Sequence, residues 1–169
     1  TDFAQAMIKG QYKLTQLGDI FLNAIEPYYA MERDSASVLL DDYDFELSGS
    51  VTDHPTIRAF LPDLTRLSPI VMAGAFAPSG WNVSATAPSI IYGTSKVSSL
   101  VFVAEEKDKE LKVNLNAAEI KNGENLNLIN TRFNTEVDID NIKYALRIGD
   151  KTDIDRYIVQ GNIGREPNN

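Results

Sequence analysis

The sequence predicts an α+β protein in which a long N-terminal helix packs on an antiparallel β-sheet, with short helices in the connection between them. Three observations lead there. Apolar residues recur at heptad spacing from Phe3 to Met31. Pro55, Pro62, Pro69 and Pro78 then punctuate the chain at the spacing of short helices and turns. From Trp81 onward the apolar residues are β-branched or alternate with polar ones, the period of strands. The 169 residues suit a single domain, organised as a helix over 1–33, an α+β body over 34–163 and a frayed polar tail over 164–169.

Asp2 is placed to cap the helix start. One row of the stripe is Met7, Leu14, Phe21 and Tyr28, and the offset row is Phe3, Gly10, Leu17, Ala24 and Met31. The first half is narrow, flanked by Gln5, Lys9, Gln11, Lys13 and Gln16. The second half broadens as Ile20, Leu22, Ile25 and Tyr29 join it, so residues 17–31 are expected in the core. A narrow stripe on a projecting helix needs a partner: another helix, a copy of itself, or a membrane-proximal continuation. Phe3, Met7, Gly10, Leu14 and Leu17 are therefore the candidate partner-binding residues. Pro27 removes one helical hydrogen bond and crowds the carbonyl of Asn23, which predicts a kink or break over 23–27 and a short second helix to about Arg33.

Residues 34–50 read as a loop followed by a strand ending at Ser48-Gly49-Ser50. Ser68-Pro69 ahead of Ile70-Val71-Met72-Ala73 reads as a helix N-cap and first turn, one of two or three short helices over 53–77. Strands are expected at Trp81–Ala87, Ser89–Tyr92, Ser99–Glu105 and Glu110–Asn114, with Glu106–Lys109 as the hairpin turn between the last two. Leu100–Ala104 is apolar on both faces, as a central strand would be. A short helix is read at Asn116–Lys121 and a turn at Asn122-Gly123. Tyr144–Ile148 and Ile154–Val159 flank Gly149–Asp153 as a hairpin, although Asp153 has the chemistry to cap a short helix instead.

The net charge is −8 and Lys107 and Lys109 lie among acidic neighbours, so a nucleic-acid partner is not expected. With no cysteine there is no disulfide, thiolate metal site or cysteine nucleophile. No run of about 18 apolar residues is present to span a membrane. The single histidine, His54, stands in a helix-start context, Thr52-Asp53-His54-Pro55, where a structural role outweighs a catalytic one. Asp41, Asp42 and Asp44 read as a solvated strand face in preference to an acidic pocket, the alternative being a hydrolase built on Asp42, Asp44 and His54. Asp138, Asp140 and Asn141, and likewise Asp150, Asp153 and Asp155, carry oxygens that calcium accepts, but neither run has the spacing of a calcium loop. No catalytic residue, cofactor or metal is assigned.

The order of parts, a heptad-patterned helix over Asp2–Ile25 followed by a short helical connection and an antiparallel sheet, resembles the ectodomain of a type IV pilin cut after its hydrophobic N-terminal helix. Ala73-Gly74-Ala75-Phe76-Ala77-Pro78-Ser79-Gly80-Trp81 is similar to a turn of shufflon-type minor pilins of the type IVb class. The resemblance implies a structural subunit of an extracellular pilus-like filament, acting in assembly initiation or adhesion and not as an enzyme. It implies other pilin subunits as partners through the N-terminal helix, a host surface or adhesin as a second contact, and an inner-membrane-anchored precursor outside the cytoplasm. The missing cysteine departs from the disulfide-closed loop of most pilins. The alternative is a periplasmic or cell-surface binding module, of lipoprotein type, with its ligand on the sheet and no catalytic activity.

Overall fold

The structure, a computed structural model, describes residues 3–29, 40–138 and 141–164. It is nearly all β. The strands are β1 (Ala4–Gln11), β2 (Asp44–Val51), β3 (Leu64–Leu67), β4 (Ile70–Ala77), β5 (Gly80–Tyr92), β6 (Ser95–Lys107), β7 (Glu110–Asn122), β8 (Leu126–Val137), β9 (Asn141–Gly149) and β10 (Asp155–Gly164). They form one antiparallel sheet in the order β1-β2-β4-β5-β6-β7-β8-β9-β10, with β3 also paired to β5. A 3-10 turn at Leu14–Gln16 leads into α1 (Leu17–Tyr29), and α2 (Pro55–Phe60) is a short helix between β2 and β3.

The predicted long N-terminal helix, and with it the α+β class and the pilin resemblance, is overturned. Residues 4–11 are an edge strand. Ala4, Ala6, Ile8 and Gly10 alternate with Gln5, Met7, Lys9 and Gln11, and the register with β2 fixes that alternation. Phe3 and Met7 are four residues apart and so share a side in a strand as they do in a helix, but Gly10, three residues from Met7 and seven from Phe3, joins them only in a helix and falls on the opposite face of the strand. The close approach of β2 calls for the glycine at position 10: its φ is +129°, and an added Cβ would sit 2.2 Å from the carbonyl oxygen of Asp44. The expected first turn at Ser68–Ala73 is likewise strand β4, and Asn116–Lys121 is the second half of β7. Both segments lie between long strands whose ladders they complete, which outweighs local propensity. α1 runs through Pro27 without the predicted break. The second helix expected up to Arg33 falls outside the described residues.

Directly opposed residues in an antiparallel ladder share a face. Following the registers across the sheet gives one apolar face. It carries Ile8; Phe45 and Leu47; Met72 and Phe76; Trp81 and Val83; Leu100 and Phe102; Val113 and Leu115; Phe133; Tyr144 and Leu146; and Tyr157 and Val159. The opposite face carries Lys9, Glu46, Asn82, Glu105, Lys112, Asn134, Lys143 and their neighbours. Between the turns at Gly80 and Lys107 and the row through Ala87, Glu106 is the one charged residue on the apolar face.

A seam crosses the sheet. Pro69, Pro88, Ser99, Ala118 and Asn130 fall in one row, and the ladder skips each of them while the register on either side is kept, up to a one-residue shift where β8 meets β9. Two members are prolines, which have no N–H to give. Ser99 and Asn130 have φ of +51° and +47°.

α1 covers one end of the apolar face. Ile20, Phe45 and Phe76 are the buried centre, and Ile8, Tyr12, Leu17, Phe21, Ala24, Leu47, Trp81 and Val83 pack around it. The Phe45 and Phe76 rings stack at 5.2 Å, and Phe21 meets Phe76 edge-on at 5.0 Å. The indole N–H of Trp81 donates to the Ala24 carbonyl at 3.1 Å and fixes the helix to the sheet. No helix covers β6 to β10 among the described residues.

Candidate functional site

A cavity of about 370 Å3 opens where α1, the entry to β2 and two hairpin turns converge. Its walls are Asn23, Ala24, Pro27 and Tyr28 from α1, Tyr43 ahead of β2, Phe76, Ala77, Pro78, Gly80 and Trp81 at the β4–β5 turn, and Glu106 and Lys109 at the β6–β7 turn. Each element arrives for a local reason. Pro27 has no N–H for the Asn23 carbonyl. Gly80 holds φ +143°, and an added Cβ would lie 2.4 Å from the Glu106 carbonyl oxygen, so only glycine lets the two turns come this close.

The β6–β7 turn places Asp108 and Lys109 at φ +54° and +67°, a left-handed pair that glycine or asparagine normally supplies. The Lys109 N–H donates to Oε1 of Glu106 at 3.0 Å. The turn was expected over Glu106–Lys109, but Glu106 remains in β6 and its side chain belongs to the apolar face. The Tyr28 hydroxyl is pushed up to about 12 by burial, then by the charge of Glu106 and a hydrogen bond with it. Burial first, and the charge of Glu106 second, also raise the Tyr43 hydroxyl. Both phenols are therefore neutral donors at physiological pH, and a half-buried carboxylate stands among aromatic rings.

The residues singled out as partner-binding do not share a helix face. Phe3 stacks on His54 with ring centroids 5.2 Å apart. Met7 lies on the polar side of β1, opposite Ser48, and Gly10 lies on the apolar side, opposite Phe45. Leu14 is 76% exposed in the 3-10 turn, whereas Leu17 packs on the core. His54 caps α2, its Nδ1 accepting from the Thr56 N–H at 3.2 Å. Asp44 begins β2 and His54 follows its far end, a strand of about 23 Å away at about 3.3 Å per residue, so Asp44 and His54 do not form one site. Asp41 pairs with Lys13 at 2.7 Å.

Of the two acidic runs, Asp140 falls outside the described residues. Asp150 is consumed by the turn it organises. It accepts from the Thr152 hydroxyl at 2.6 Å, from the Thr152 and Ile154 N–H groups, and from Arg156. Asp153 and Asp155 both pair with Arg132. Among the described residues there is no group of three or more acidic or histidine side chains arranged to hold a metal ion.

The cavity went unseen in the sequence because its parts, Tyr28, Tyr43, Trp81 and Glu106, are brought together by the sheet and not by spacing. The one available signal was an acid at the end of the apolar alternation Leu100, Phe102, Ala104, Glu106. Comparison with known protein families, curated proteins and solved structures finds no match.

Proposed function

We propose that this chain is a structural subunit that assembles with further copies of itself through the uncovered half of its apolar sheet face. The observation that carries this reading is the face itself. Beyond α1 it continues over β6 to β10 with Phe102, Val113, Leu115, Phe133, Leu146 and Val159. Leu115, Tyr157 and Val159 are 36%, 69% and 56% exposed. Contiguous apolar patches of this extent mark interaction surfaces.

A second copy is the occupant that fits. The chain carries a net charge of −8, yet on this face of β6 to β10 the one charged residue is Glu106, set in the cavity wall beside α1, and the outer strand from Tyr157 to Gly164 carries none, so two copies meet there with little like-charge repulsion. Five strands about 4.8 Å apart and about seven residues long at about 3.3 Å each offer on the order of 550 Å2 per copy. Two copies then cover about 1,100 Å2, above the roughly 1,000 Å2 that a specific interface needs. Face-to-face packing would complete a two-layer sandwich. The filament, the membrane-anchored precursor and the extracytoplasmic setting came from the pilin resemblance alone and are not part of this reading.

Sedimentation velocity over a range of concentrations tests it. The chain is expected to associate, and Leu115→Lys with Leu146→Lys should yield monomers with an unchanged far-ultraviolet strand spectrum. A wild-type chain that stays monomeric at about 100 μM, well above the micromolar range of weak specific complexes, overturns the reading.

A further inference from the structure

We propose that the cavity between α1 and the β6–β7 turn binds a quaternary ammonium group of the choline type. The apolar face places one charge, Glu106, in the stretch of sheet between its hairpin turns and the seam row, and the fold puts that charge in the wall of an aromatic cavity. Tyr28, Tyr43 and Trp81 line the same space, and Phe76 stacks behind Trp81 with centroids 6.1 Å apart. Ring faces attract a cation through their quadrupoles, most strongly where water is displaced. A carboxylate adds the matching charge. The Lys109 N–H and the Tyr28 hydroxyl occupy only part of the acceptor capacity of Glu106, since a carboxylate has about four lone-pair sites.

The volume limits the ligand. About 370 Å3 lies at the lower end of the roughly 300–1,000 Å3 of small-molecule sites, so a headgroup fits and a large cofactor does not. A methylated ammonium suits the lining better than a metal ion, because beside the Asn23 amide and Lys109 at the turn the walls supply one carboxylate and otherwise rings and apolar carbon, too few oxygens for a metal. The strained pair Asp108 and Lys109 fits this reading. Non-glycine residues with positive φ persist where the surroundings enforce them, and here the enforced geometry aims an N–H at Glu106 and sets its carboxylate in the wall.

Trp81 is the only tryptophan and lies in the wall, so its fluorescence reports occupancy directly. The wild-type chain is titrated with choline chloride, with sodium chloride at matched ionic strength as the blank and 3,3-dimethylbutan-1-ol as the uncharged isostere. Choline is expected to give a saturable change with a roughly millimolar midpoint, and the isostere to bind at least about tenfold more weakly. Glu106→Gln should weaken choline by about tenfold or more while leaving the isostere unchanged. Equal binding of choline and the isostere overturns the proposal, as does a choline response no different from the salt blank. So does a folded Glu106→Gln chain that binds choline as the wild type does. The isostere comparison needs no variant, so it decides even if Glu106→Gln fails to fold. Cosedimentation with phosphatidylcholine vesicles assigns the ammonium to a lipid headgroup, and choline binding without it assigns a free solute. Association through the β6–β10 face does not enter this readout.

Discussion

The two ends of the sheet use the same alternation of apolar and polar residues and dispose of the apolar face differently. At the β1–β5 end, α1 lies across it, and Phe45 and Ile20 are each 1% exposed. At the β6–β10 end the face opens toward the outer strand, where Tyr157, Val159 and Ile163 are each more than half exposed, although Ala104 and Ala117 nearer the middle are 4% and 5% exposed. Strand pairing therefore builds the sheet at both ends, and the helix adds the cluster of large buried side chains centred on Ile20, Phe45 and Phe76. The cavity lies at the boundary, where α1 ends and the turns of the covered strands meet those of the open ones.

That contrast can be broken most sharply by truncation. Phe45→Ala removes a ring that touches Phe76, Phe21, Tyr12 and Tyr43, and should cost about 3–5 kcal/mol in urea unfolding. Val159→Ala, at a position 56% exposed on the open end of the same face, should cost under about 1.5 kcal/mol in a dilute, unassociated chain, because little burial is lost. Comparable costs would mean that the open face is covered in solution. Gly80→Ala should come next, at about 2 kcal/mol or more, since the new methyl meets the Glu106 carbonyl and the backbone is held at positive φ. Chemical denaturation checks the stability, and loss of the choline response checks that the two turns have moved apart.

The same contrast explains what the sequence disclosed. Strands that alternate strictly or carry long apolar runs, such as Leu100–Ala104 and Tyr144–Ile148, were legible, as were the turn at Asn122-Gly123 and the hairpin at Gly149–Asp153. One face of α1 is buried as expected, through Leu17, Ile20, Phe21 and Ala24, but Leu22 and Ile25, which pointed to burial on more than one side, are 55% and 47% exposed. Residues 4–11 were misread because Phe3, Met7 and Gly10 satisfy a heptad by chance over two turns, and what decides their conformation is the neighbouring strand β2, more than 30 residues away. Ser68-Pro69 misled for a related reason. Its proline marks the seam, where Pro69 and Pro88 share a row, and not a helix start. The cavity has no local signature at all, since Tyr28 and Glu106 meet only after the helix has docked.

Base titration sharpens the comparison at the boundary. Tyr28 is raised in the folded state, to about 12, above the ordinary value near 10 of an unfolded chain. A raised value means that its contribution to stability is present below pH 10 and is lost as the pH climbs through 12. Phenolate absorbance at 295 nm should show the late titration, Tyr28→Phe should delete it, and Glu106→Gln should bring it earlier, leaving only burial to hold it up. Tyr43 is raised as well, so the test is the phase near 12: if that phase survives Tyr28→Phe, it belongs to another phenol.

The smallest expected effect lies at the open end, in the β9–β10 turn. The hydrogen bond from the Thr152 hydroxyl leads in holding the Asp150 carboxyl far below the usual carboxylate range, helped by the Thr152 N–H, Arg156 and the Ile154 N–H. A depressed value works in the opposite sense to Tyr28. The stabilisation is in place above about pH 4, where an unfolded aspartate is ionised, and it fades only as acid reaches the lower folded value. Amide chemical shifts of Thr152 and Ile154 should therefore hold steady to about pH 3, when free aspartates have mostly titrated, and move only below it. Asp150→Asn should shift them at every pH. Because the turn is exposed and no helix leans on it, the covered core should not respond, and a concurrent change in Trp81 fluorescence would show that the two ends of the sheet are coupled after all.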